Sequence, residues 1–204
     1  MFDINTIALI IIIIFSIFLL YNLYDYIFRN SELKCIISDI NGKKYCIRQR
    51  SKEKEKEVVD LFAKIVEKAK KLVNHMIEKY PDNDYCQRLK KNFNPETIKE
   101  NLPNSTLTSY TENKGKSISL CVNTDKKNKN ELIDENTLMF VLIHELAHCS
   151  TISIGHQTDF WNFFKFLLKE ASSINIYNPE NYKISPKPYC GIKLTDSPYY
   201  DLIN

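Results

Sequence analysis

The chain has 204 residues, enough for one domain with attachments. It is 44% hydrophobic, so a normal core remains after an apolar N-terminus is set aside. A formal net charge of only +3 gives no electrostatic basis for strong nucleic-acid binding.

The first element is the uncharged run Ile7 to Tyr24, IALIIIIIFSIFLLYNLY. It is about as long as a helix must be to cross a bilayer. No Lys or Arg precedes it and no Ala-x-Ala cleavage site follows, which argues for an uncleaved anchor over a signal peptide. Residues 1–30 therefore read as an N-terminal transmembrane helix, with Tyr21, Tyr24 and Tyr26 as an aromatic belt. Arg29, Lys34, Lys43, Lys44, Arg48 and Arg50 all follow the span, so the positive-inside rule predicts a single-pass protein whose 31–204 domain is cytosolic. A glycosylation sequon, Asn104-Ser105-Thr106, would argue for the opposite side if used. Six cysteines, at 35, 46, 86, 121, 149 and 190, form no C-x-x-C pair. They fit buried thiols or one or two structural bridges, with thiols expected in the cytosol and disulfides on the other side.

Leu33 to Arg50 reads as a β-hairpin around a two-residue Asn41-Gly42 turn, a register that sets Cys46 opposite Ile37 and Cys35 one diagonal step away. Ser51 caps a helix running to about Tyr80, whose apolar stripe is Val58, Phe62, Ile65, Val66, Ala69, Leu72, Val73, Met76 and Ile77. The KEKEKE run at 52–57 reads as its solvated start, and His75 as a packing or surface residue. Pro81 and Asp82 end that helix, and 84–93 fits a short further one. Thr106 to Thr111 and Ser117 to Asn123 read as two strands joined by Asn113–Lys116. A strand there can also be a sheet edge that receives an extended peptide.

Asp134 is an N-cap for a helix carrying Leu138, Met139, Phe140, Val141, Leu142 and Ile143 without a break, then His144-Glu145-Leu146-Ala147-His148. A helix apolar on every side should be buried. Residues four apart share a face, so His144 and His148 present two imidazoles to one point, with Glu145 one residue round from them. This is the H-E-x-x-H signature. Two such nitrogens and a third ligand are the usual set for a catalytic zinc, which keeps a fourth position for water. After a β-branched stretch, Gly155 lets the chain turn and bring back His156. The competing third ligand is Glu170, on the next helix. That helix is capped by Thr158, with Phe160, Phe163, Phe164, Leu167, Leu168 and Ala171 as its core face and Trp161 as a packing residue. The metzincin spacing is excluded, because position 151 is Thr and His156 follows the second His by eight residues where that pattern needs six.

HELAH followed by Gly155, His156, Phe160 and Trp161 resembles the WLM and SprT-like zinc metallopeptidases. The resemblance covers about residues 107–171 and is most specific from His144 to Trp161. It implies an α+β zincin-like fold with a catalytic core at about 105–172. It also implies His144, His148 and His156 as ligands of one Zn2+ ion, with His156 preferred to Glu170, and Glu145 as the catalytic residue. The activity implied is proteolysis, in several members of proteins crosslinked to DNA. This chain differs from those members by its membrane span and its lack of a basic tail or repair-partner motifs. The anchored arrangement looks like predicted metallopeptidases of large DNA viruses.

The function expected is a membrane-anchored zinc metalloendopeptidase acting on a protein or peptide substrate. A zinc-activated water would attack the peptide bond, with Glu145 as general base and then acid. Tyr189, Tyr199 and Tyr200 are candidate oxyanion donors. The alternative is a non-catalytic membrane or virion structural or interaction protein with a structural zinc site.

Overall fold

The computed structural model describes residues 3–31 and 33–201, without side chains at 4 and 25–31. Tyr26 and Arg29, used above for the aromatic belt and the charge count, have side chains outside that description. The chain is a mixed α+β domain behind one long apolar helix.

Helix α1 spans Ile4–Ser31. Within it, Asn5–Tyr24 is 20 residues with mean hydropathy 2.7, and none of it is buried against the domain. At 1.5 Å per residue this covers about 30 Å, the thickness of a hydrocarbon core.

Strands β1 (Leu33–Ile37) and β2 (Lys44–Arg48) form the expected hairpin, but in another register. Ile37 pairs with Lys44 and Cys35 with Cys46, and those two cysteines are disulfide-bonded. The two-residue turn does not form, because the amide of Gly42 donates to Ser38 O (2.9 Å) and that of Ser38 to Lys43 O (2.8 Å), closing a longer loop. The shift is two residues, so each side chain keeps its face while its partner changes.

Helix α2 (Lys52–Lys79) is capped by Ser51 and buries Val58, Phe62, Ile65, Val66, Ala69, Leu72, Val73 and Met76, as the periodicity predicts. Its charged start is not wholly solvated. Glu55 is buried and accepts from Lys34 Nζ at 2.7 Å. Helix α3 (Asp84–Asn92) follows.

The main sheet has three strands in the order β3–β5–β4, with β3 at Ile98–Glu100, β4 at Tyr110–Glu112 and β5 at Ser117–Leu120. β3 runs parallel to β5 and was not expected from the sequence. Residues 106–109 are not strand, because the Asn101 side-chain amide donates to Leu107 O and Thr108 O (2.7 and 2.8 Å) and holds that segment as a loop.

Helix α4 (Glu135–Ser150) crosses the core between this sheet and helices α2, α3 and α5, the last at Thr158–Ser173. A short hairpin, β6 (Lys187–Tyr189) and β7 (Ile192–Leu194), closes the C-terminal end. It turns at Cys190 and Gly191, both at positive φ (53° and 82°), the conformation that a two-residue hairpin turn requires. Cys190 is bonded to Cys121, while Cys86 and Cys149 are buried free thiols.

A buried ion cluster ties the first hairpin to the sheet. Glu100 accepts from Arg48 Nε at 2.6 Å, from the Arg48 amide at 2.7 Å and from Arg50 Nη1 at 2.7 Å. Asn123 Oδ1 accepts from both guanidinium groups. Removing the one carboxylate leaves two buried cations unpaired, so Glu100→Ala is expected to cost about 3–5 kcal/mol in chemical denaturation. A loss under about 1 kcal/mol would mean that the cluster is effectively solvated.

Candidate metal centre

From Thr137 to Ser150 every residue of α4 is buried except His144 and His148. The helix presents its one accessible stripe at the HELAH spacing and packs everywhere else, so its walls fix the two imidazoles. Asp134 caps it, accepting from the Thr137 amide at 2.9 Å. The helix ends at Thr151, which has an extended conformation. Gly155 then takes φ +75°, where a side chain would be strained, and the chain reverses to deliver His156. Helix α5 starts after Gln157, which makes no side-chain cap bond. Thr158 is its first residue, not the cap that the sequence suggests. The entry is held instead by Ser153 Oγ donating to Asp159 Oδ1 at 2.5 Å.

The three Nε2 atoms converge. His144 and His148 are 3.2 Å apart, His148 and His156 3.1 Å, and His144 and His156 3.0 Å. Nitrogens around an ideal tetrahedral zinc, with Zn–N of about 2.0–2.1 Å, lie about 3.3 Å apart. The set therefore fits such an ion. Desolvation favours the neutral imidazoles, with lone pairs free for a cation, although His156 is exposed on its outer side. His144 is pushed down to about 3 and His148 to about 4, mainly by desolvation and then by the neighbouring rings, and desolvation lowers His156 as well.

Phe160 forms the floor of the site. Its ring centroid lies 4.3–4.8 Å from all three imidazoles. The sequence marks Phe160 as core and as part of the motif that carries the resemblance, without showing this contact. Trp161, read as packing, is 42% exposed, with its ring 5.5 Å from that of His156.

Glu145 is buried beside the triad. Desolvation pushes its carboxyl up to about 7, and one hydrogen bond opposes this: Thr111 Oγ1, on β4, donates to Oε2 at 2.7 Å. Of the three candidate tyrosines, Tyr189 lines the cleft and hydrogen-bonds Ser109 through its hydroxyl. Tyr200 donates to Pro179 O, and Tyr199 packs on the core. Glu170 does not reach the triad. It is the centre of a separate cluster, accepting from Tyr80 OH (2.7 Å) and Lys79 Nζ (2.9 Å) and pairing with His75 Nε2 (2.6 Å).

A family model for the WLM domain matches residues 45–194. The chain belongs to the WLM family. An uncharacterized protein of Acanthamoeba polyphaga mimivirus is 30% identical over 168 residues, 81% of this chain and 84% of that protein. Uncharacterized proteins of Invertebrate iridescent viruses 6 and 3 are 40% and 43% identical over 82 and 84 residues, spans that cover 44% and 50% of their lengths. WLM relatives thus occur in large DNA viruses. The crystal structure of Wss1 from Saccharomyces cerevisiae aligns with a TM-score of 0.45 at 17% identity, over 62% of this chain and 85% of that one.

These environments predict a pH response in EDTA-treated protein. His144 and His148 take up protons in the unfolded chain from pH 6.5 downwards but in the folded one only near 3 and 4, which destabilises the fold as pH falls. Glu145 opposes this between about 7 and 4.5, because its folded value is raised. Two imidazoles outweigh one carboxyl, so Tm is expected to fall between pH 6.5 and 4.5. A Tm that stays level or rises over that window would contradict the desolvated triad.

Proposed function

We propose that this WLM protein is a membrane-anchored zinc-dependent metalloendopeptidase. The single observation that carries the reading is the convergence of three neutral imidazole nitrogens next to a buried carboxyl group. His144, His148 and His156 would hold the ion, in a zincin-like arrangement of helix and sheet. When bound, zinc supplies Lewis acidity and lowers the pKa of a coordinated water towards about 7. Glu145 takes a proton from the water that attacks the scissile carbonyl and passes it to the leaving amine. Desolvation raises the proton affinity of this carboxyl, which helps it to accept that proton. Thr111 holds the carboxylate in place through its hydroxyl. Tyr189, within the cleft, is the candidate donor to the oxyanion. The outer edge of β4 offers backbone groups to an extended substrate.

In this reading residues 1–30 anchor the chain and 31–204 form the peptidase domain, with a catalytic core at about 105–172. The basic residues after α1 favour the cytosolic side. The two cystines favour an oxidising compartment instead. Alkylating the cysteines in isolated membranes, with and without prior reduction, separates the two: free Cys35 and Cys121 mark the cytosolic side and blocked ones the other.

The competing reading is a non-catalytic protein with a structural zinc, which would want four protein ligands. The nearby thiol does not supply the fourth. Cys149 is buried on another face of α4 and donates to Glu145 O.

The full chain purified in lipid nanodiscs is expected to carry one zinc and to cleave a denatured protein. Glu145→Gln should keep the metal and lose cleavage by at least about a hundredfold. His156→Ala should lose zinc while Glu170→Ala retains it. Zinc-bound wild-type protein that cleaves nothing would support the structural reading, and zinc retention in His156→Ala would reassign the third ligand.

A further inference from the structure

The cleft over the triad has a lining that peptide hydrolysis alone does not require. Its volume is about 770 Å3. Phe140 and Val141 enter it from α4, Ile192 and Leu194 from the β6–β7 hairpin, and Leu107 from the loop before β4. Ile192 is 51% exposed and Leu107 54%, so apolar surface faces water beside the reactive centre. Among the described lining residues, the only carboxylate is Glu145, which is buried and bonded to Thr111. The one lysine, Lys114, donates to Ser153 O at 2.5 Å. A basic substrate side chain would therefore lose its hydration here without gaining an ion-pair partner, whereas an apolar one would bury surface.

The hairpin is also fixed in position. Cys190 is bonded to Cys121, and the Cys190 and Gly191 amides donate to Asn123 O (2.8 Å) and Thr124 O (2.9 Å). The Tyr189–Ser109 hydrogen bond adds a third tie, on the cleft side. A wall held this firmly selects by shape, because it cannot move aside for a poorly matched group.

We infer that Phe140, Val141, Ile192 and Leu194 form a specificity pocket for a bulky apolar side chain next to the scissile bond of an extended peptide. This rests on the peptidase reading. The occupant is a peptide because edge strand β4 borders the same cleft with Tyr110 and Thr111.

The test uses the full chain in lipid nanodiscs with zinc supplied. The Glu145→Gln variant is titrated, by fluorescence anisotropy, with two labelled decapeptides that differ only in a central Leu or Lys. The Leu peptide is expected to bind on the order of ten- to a hundredfold more tightly. Ile192→Asp, at an exposed position that folding tolerates, should remove most of that difference with zinc content unchanged. Equal binding of the two peptides, binding of neither, or a preference that survives Ile192→Asp would overturn the pocket. Wild-type protein is then given the same peptides and the products are read by mass spectrometry. Preferential binding without cleavage would contradict the peptidase reading and leave the pocket standing. Cleavage indifferent to Leu or Lys would do the reverse.

Discussion

Bringing three imidazole nitrogens within 3.0–3.2 Å of one another requires that all three rings stay uncharged and that none can turn away. Packing meets both for His144 and His148, whereas His156 is exposed and is held by its turn and by Phe160. Helix α4 is buried from Thr137 to Ser150 except at His144 and His148, so the backbone that carries the two rings is fixed by the core. Phe160 supports all three rings from below, and the left-handed turn at Gly155 returns the third ring to the other two. The same burial raises the Glu145 carboxyl and lowers the imidazoles. One physical cause, desolvation, therefore acts on both the proposed ligand set and the proposed base.

The parts of the site that were legible in the sequence are the local ones. HELAH needs only the helical repeat, and Gly155-His156 needs only a glycine where the chain must reverse. The long apolar run before HELAH announced the buried helix correctly. Contacts made across the fold were not legible. Thr111 reaches Glu145 from 34 residues upstream, and the hairpin that carries Ile192 and Leu194 comes from the far end of the chain. Glu170 stood as a rival ligand because it is the glutamate available on the helix after HELAH. In the fold it neutralises Lys79 beside Tyr80. The Asn41-Gly42 signal was outweighed by backbone hydrogen bonds that closed a longer loop, and β3, three residues long, offered no periodicity to read.

The apolar helix α1 and the apolar cleft both bear on what the proposed peptidase would meet. Anchored through α1 as proposed, the site would meet only substrates that come to one membrane surface. The proposed apolar pocket would restrict it further, to segments with bulky side chains exposed, as in unfolded or extended chains. Charge does little of the selecting, since a net +3 spread over 204 residues steers weakly.

The claim on which the rest depends is that three imidazoles hold one ion and leave a position open. X-ray absorption at the zinc edge, on the purified full chain, reads this directly. Three imidazole nitrogens and one water oxygen at about 2.0–2.1 Å, with no sulfur, are expected. A sulfur shell at about 2.3 Å, or four protein nitrogens, would describe a closed structural site and contradict it.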